Sequence, residues 1–174
     1  MDCGSWWPTH VSETYRYVLG ARDRSRILKE HASHRLLTGA SEWGILLGLP
    51  AASRLMADHV KAVARLVDAL ALGDAEVASR AAGAAAENSA EQQGLYGAAI
   101  PEFALSEFRD LIDEHIAETA AYVGALFERD YLGFREHMNA VIGNVQRMAS
   151  FWRRVCGPAG RRGMARGLPA ARSG

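Results

Sequence analysis

The feature that most limits what this chain can become is an apolar stripe that recurs at spacings of three and four from residue 50 onward. Met56, Val60, Val63, Val67 and Leu70 form one run, and Leu105, Phe108, Leu111, Ile112, Ile116, Thr119, Val123 and Leu126 form another. This spacing places the side chains on one face of a helix. Between the two runs lies an Ala-rich segment, about Ala75 to Tyr96, with Val77, Ala81, Ala84 and Ala85 on one face. After them, Phe134, Met138, Val141, Val145, Met148 and Trp152 repeat the stripe from Tyr131 to about Arg154. Pro50 suits a first helical position, and Asp74 and Asp130 suit N-caps after the Gly73 and Arg129 turns. β-Branched residues never alternate, so no strand is expected.

A shift of 56 positions superposes the two halves of this region without a gap. Asp58-His59-Val60 falls on Glu114-His115-Ile116, Val67 on Val123, Leu70 on Leu126, Asp74 on Asp130, and Asn88 on Asn144. The expected fold is therefore all-α: an up-down-up-down four-helix bundle at residues 50–154, made from a duplicated hairpin (about 50–96 and 106–152). Residues 1–49 read as an N-terminal helical extension. One interrupted helix is expected from about Ser12 to Leu37, weakened at Gly20 and ended by Thr38-Gly39-Ala40-Ser41.

Charge and cysteine content narrow the function classes. The formal charge is zero, with six arginines and no acid from Arg153 to Gly174. Residues 155–174 read as a disordered basic tail, and without interleaved aromatics a nucleic-acid partner is not expected. Cys3 and Cys156 form neither a C-x-x-C motif nor a framework, which fits a reducing, cytoplasmic location and not a zinc finger. The longest apolar run, Trp43 to Ala52, is about half the length of a membrane span.

The candidate site follows from level matching across each hairpin. His59 and Asn88 stand equally far, within one residue, from the Gly73-Asp74 turn, and His115 and Asn144 stand likewise about Arg129-Asp130. All four are expected in one layer, with Asp58 and Glu114 as neighbours. Two readings are open: a satisfied polar layer that fixes helix register, or a site for a divalent transition metal with His59 and His115 as ligands. The di-iron pattern is excluded, because the residues three before the histidines are Met56 and Ile112 rather than Glu. No phosphate-binding glycine loop is present, and no nucleophile stands out with its base.

Asp58-His59-Val60, Glu114-His115-Ile116, Gln92-Gln93 and Gly97-Ala98-Ala99-Ile100 resemble elements of a group of small, uncharacterised bacterial four-helix-bundle proteins. The similarity spans about residues 51–153. It implies a helical bundle and no particular activity. The function expected first is a non-enzymatic binding or assembly module, with Trp6 and Trp7 packed on the bundle or on a second subunit of a homodimer, or a protein partner in its place. The alternative is a metal- or cofactor-binding bundle acting as a sensor or redox protein.

Overall fold

The computed structural model describes residues 2–157, so the part of the expected basic tail from residue 158 onward lies outside the described residues. Within them the chain is all-helical, as expected, but it forms six helices: α1 (Cys3–Arg22), α2 (Arg26–Leu47), α3 (Pro50–Leu72), α4 (Ala75–Ala99), α5 (Leu105–Glu128) and α6 (Tyr131–Val155). A single 3-10 turn, Glu102–Ala104, precedes α5.

Local chemistry explains the boundaries. Pro50 opens α3, where its missing amide hydrogen costs nothing. Asp74 accepts from the Val77 amide and Asp130 from the Gly133 amide, which caps α4 and α6 alike. The turns before them hold Gly73 and Arg129 in the left-handed region, at φ 72° and 63°. The α3/α4 and α5/α6 hairpins thus use the same cap and the same backbone turn 56 residues apart.

The N-terminal region departs from expectation. It contains two full helices, not one frayed one. Asp2 caps α1 by accepting from the Gly4 and Ser5 amides, and Ser5 returns a bond to the Asp2 backbone. Pro8 lies inside α1 and does not end it. Gly20 is no break either: a Cβ there would lie 2.9 Å from Lys29 Cγ, so glycine lets the end of α1 pass close to the start of α2. The real break is Asp23–Ser25, with Arg24 at φ 54° and Ser25 capping α2. Thr38 to Ser41 continue α2, and the small Gly39 and Ala40 leave room for Trp6, whose Nε1 donates to the Gly39 carbonyl at 2.8 Å.

Residues 1–49, expected as an extension, share the bundle's core. Trp6, Trp7, Trp43, Tyr96, Phe108, Phe151 and Trp152 are all 2% exposed or less. They interlock: Trp43 lies 4.7 Å from Trp6 and 4.8 Å from Trp152 between ring centres, and donates to the Tyr96 hydroxyl at 3.1 Å. Aromatic contacts of this kind add roughly 1 kcal/mol each to the burial itself. The α3/α4 and α5/α6 hairpins do not close directly on each other as a four-helix bundle. α4 and α5 touch sparsely, and α1, which packs mainly on α2, bridges the hairpins through α6 and, to a lesser extent, α3. Cys3 and Cys156, which gave no pairing signal in the sequence, form a disulfide that ties the start of α1 to the end of α6. No helix among the described residues is long and apolar enough to cross a membrane.

Candidate functional site

Because α1 lies between the hairpins, it adds a third imidazole to the two expected. His10 on α1, His59 on α3 and His115 on α5 meet in the core, with the His10 ring centre 6.0 Å from that of His59 and 6.4 Å from that of His115. Trp6 stacks on the His10 ring at 4.7 Å, and Trp7 meets His115 edge-on at 5.5 Å. The aromatic cluster thus forms one wall of the site and fixes two of its three rings.

The asparagines stand where level matching put them, but their bonds go elsewhere. Asn88 Nδ2 donates to the Leu55 carbonyl at 3.0 Å, and Asn144 Nδ2 donates to the Leu111 carbonyl at 2.9 Å. Each of these carbonyls lies one helical turn before the histidine of the same helix, so each asparagine pins its hairpin at the histidine's level. Gln92 then donates to Asn88 Oδ1 at 2.7 Å. The expected mutual satisfaction of imidazole and carboxamide is absent at His59, while at His115 only Asn144 stands near enough to act on the ring. Nδ1 of His10, His59 and His115 is buried without a hydrogen-bond partner in each case. Asn144 lies beside His115, yet its Oδ1 and the ring Nδ1 do not meet in hydrogen-bond geometry, and both stay unpartnered.

Burial also fixes the charge state. It pushes His59 down to about 4. It does the same to His115, helped by the nearby His59 ring and opposed by Asn144, again to about 4. His10 is held well below its ordinary value, first by burial and then by the other two rings. Three neutral imidazoles at neutral pH are three rings able to offer a lone pair.

Of the acidic neighbours expected at the site, Asp58 faces away from it and Glu114 reaches it only through Asn144. Asp58 is half-exposed and pairs with Lys61 at 3.1 Å. Glu114 pairs with Arg147 and accepts from Asn144 Nδ2 at 3.3 Å. His137 joins Glu118 at 2.8 Å across α5 and α6, while His31 and His34 are exposed on α2. Glu13, one turn beyond His10, is buried; one oxygen pairs with Arg16 and the other has no partner.

Beside the imidazoles is a cavity of about 120 Å³, whose walls include His10, His59, His115, Thr119, Tyr122 and Val63. It lies toward the gap between α4 and α5. The chain matches no protein-family model, no curated protein and no solved structure. The site must therefore be judged on its own geometry. As the rings lie, no three His, Cys, Asp or Glu side chains among the described residues are grouped to hold a metal ion. Imidazoles sharing one ion at about 2.0 Å per nitrogen bring their ring centres to about 5 Å. The His10 distances, 6.0 and 6.4 Å, are about 1 Å longer than that.

His10 was missed by the sequence reading, although a signal existed. Trp7, His10, Thr14, Val18 and Ala21 repeat at spacings of three and four, the same stripe that marked the later helices. Starting the expected helix at about Ser12 concealed it.

Proposed function

We propose that this chain is a metal-binding helical bundle in which His10, His59 and His115 hold a divalent transition-metal ion through neutral imidazoles. The observation that supports this reading is the convergence of three imidazoles whose buried Nδ1 atoms find no partner in hydrogen-bond geometry, His115 having only Asn144 beside it. An unpaired buried polar group costs about 1 to 3 kcal/mol, and three at one point call for a purpose beyond packing. An all-nitrogen donor set suits zinc, iron, cobalt, nickel or copper and not magnesium or calcium. Such an ion held by three protein ligands supplies Lewis acidity and an exchangeable position. The chain's own residues would orient the rings: Trp6 and Trp7 by contact, and Asn88 and Asn144 by fixing the helices that carry His59 and His115.

We read the α3/α4 and α5/α6 hairpins as two copies of one unit, on the strength of caps, turns and asparagine bonds that recur at the same spacing. The reading as an assembly module gains nothing from the tryptophans, since Trp6 and Trp7 are buried within a single chain. The test is elemental analysis of untagged protein purified without chelator, alongside His10→Ala, His59→Ala and His115→Ala and the controls Asp58→Ala and Glu114→Ala. About one metal ion per chain is expected in the parent and both controls, and loss of it in each folded histidine variant. A parent that takes up no zinc, iron, cobalt, nickel or copper, or histidine variants that keep their metal, would refute the proposal.

A further inference from the structure

The cavity next to the imidazoles has walls of a second character. Val11, Val63, Leu66, Val67, Ile116 and Val123 make it chiefly apolar, and no Lys, Arg, Asp or Glu lines it. Two hydroxyls on these walls, Thr119 Oγ1 and Tyr122 Oη, are buried with no hydrogen-bond partner. Thr14, the third hydroxyl on the lining, is already bonded to the His10 carbonyl at 3.0 Å. Burial pushes the Tyr122 hydroxyl up, so it stays protonated and able to donate.

We infer that this cavity is a binding site for a small neutral molecule with an apolar body and one hydroxyl group, of about the size of phenol. Three arguments carry the inference. The first is volume: about 120 Å³ is of the order of the roughly 150 Å³ apolar cavity that holds a benzene ring, and far too small for a nucleotide. The second is charge: a carboxylate or ammonium would enter with no opposite charge on any wall, and an uncompensated buried charge is strongly disfavoured. The third is the pair of idle hydroxyls. An alcohol or phenol both donates and accepts, so it can engage Thr119 once rotation about that side chain turns its enclosed hydroxyl into the cavity, where a hydrocarbon would leave it unpaired.

Access is provided by the sparse packing of α4 against α5. Ala82 and Ala86 on α4 and Ala120 on α5 line the cavity and are exposed, so its outer rim is built from the smallest side chains. The inference rests on these walls and not on the metal reading, because none of the three arguments needs an ion.

Titration calorimetry of the full chain with phenol, benzene and benzoate tests it, run in parallel on chelator-treated protein and on protein incubated with zinc. In the chelator-treated protein phenol should saturate one site, benzene should bind about tenfold more weakly for want of a hydrogen bond, and benzoate should give no heat of binding at neutral pH. Thr119→Val should narrow the difference between phenol and benzene. Val63→Phe, which fills the cavity, and Ala86→Phe, which blocks its rim from an exposed position, should each abolish phenol binding. Phenol that fails to saturate, phenol that binds no more tightly than benzene or benzoate, or binding that survives Ala86→Phe overturns the inference. Phenol binding by chelated protein upholds it even if elemental analysis finds no metal, so the two proposals can fail separately.

Discussion

Acidification should destabilise the metal-free protein between pH 6.5 and 4, through its three core histidines. In the unfolded chain each imidazole titrates near 6.5, whereas burial holds His59 and His115 down to about 4 in the fold. The unfolded state therefore takes up protons first as pH falls. For a base whose folded pKa is lowered, the contribution is complete above 6.5 and is lost on the way down to the folded value. Moving one imidazole from 6.5 to about 4 corresponds to between about 3 and 4 kcal/mol, so the pair accounts for about 7 kcal/mol over the whole window and about 4 kcal/mol by pH 5. His10 acts in the same direction. Total stabilities of about 5 to 15 kcal/mol are usual for a domain, so a loss of this order brings the protein close to unfolding at mildly acid pH.

Urea unfolding followed by tryptophan fluorescence measures this directly, since all four tryptophans are buried in the core. The titration would be run in chelator at several pH values between 7.5 and 4.5, on the parent and on His59→Leu/His115→Leu. The parent's midpoint should fall steeply below pH 6.5, and most of that dependence should be absent from the double variant. A parent whose stability is flat from pH 7 to pH 5, or a variant with the parent's slope, would refute the reasoning. Either result would mean that the rings are solvated or partnered in solution.

Two further predictions concern what holds the site in place. Cys3→Ser/Cys156→Ser opens a bridge between residues 153 apart and should cost about 3 to 5 kcal/mol in denaturant melts; a variant as stable as the parent would mean that the bond is not formed in the folded protein. Asn88→Ala and Asn144→Ala should each cost about 1 to 3 kcal/mol, measured by thermal unfolding, with the parent's helix content retained below the transition. A neutral effect of either would show that its bond to the Leu55 or Leu111 carbonyl adds nothing to the pinning of that hairpin.

What the sequence disclosed and what it concealed follow from range. Stripes, caps and the Pro50 start depend on residues within one or two turns of each other, and these were legible from residue 50 onward. The level of His59, Asn88, His115 and Asn144 was also legible, because rise per residue is constant along a helix. The direction of the asparagine bonds was not: a carboxamide level with a histidine can reach the ring or a backbone carbonyl, and spacing does not distinguish them. Gly20 misled for a related reason. It weakens a helix by propensity, but tertiary packing overrode that, with Gly20 serving a close helix crossing. The Cys3–Cys156 pairing depends entirely on where α1 docks.

That docking also decides what the site can be. Each of the two similar hairpins brings one histidine and one asparagine, and the Nδ2 of each asparagine is spent on its own hairpin's backbone. Two such halves supply two rings. His10 converts the pair into a triad, and it can do so only because α1 enters between the hairpins with Trp6 and Trp7 anchoring it above and the disulfide holding its first residue to α6. The residues that read least clearly as structure are therefore the ones that complete the cluster of imidazoles, and the stripe through Trp7, His10, Thr14 and Val18 carries both the docking and the third ring.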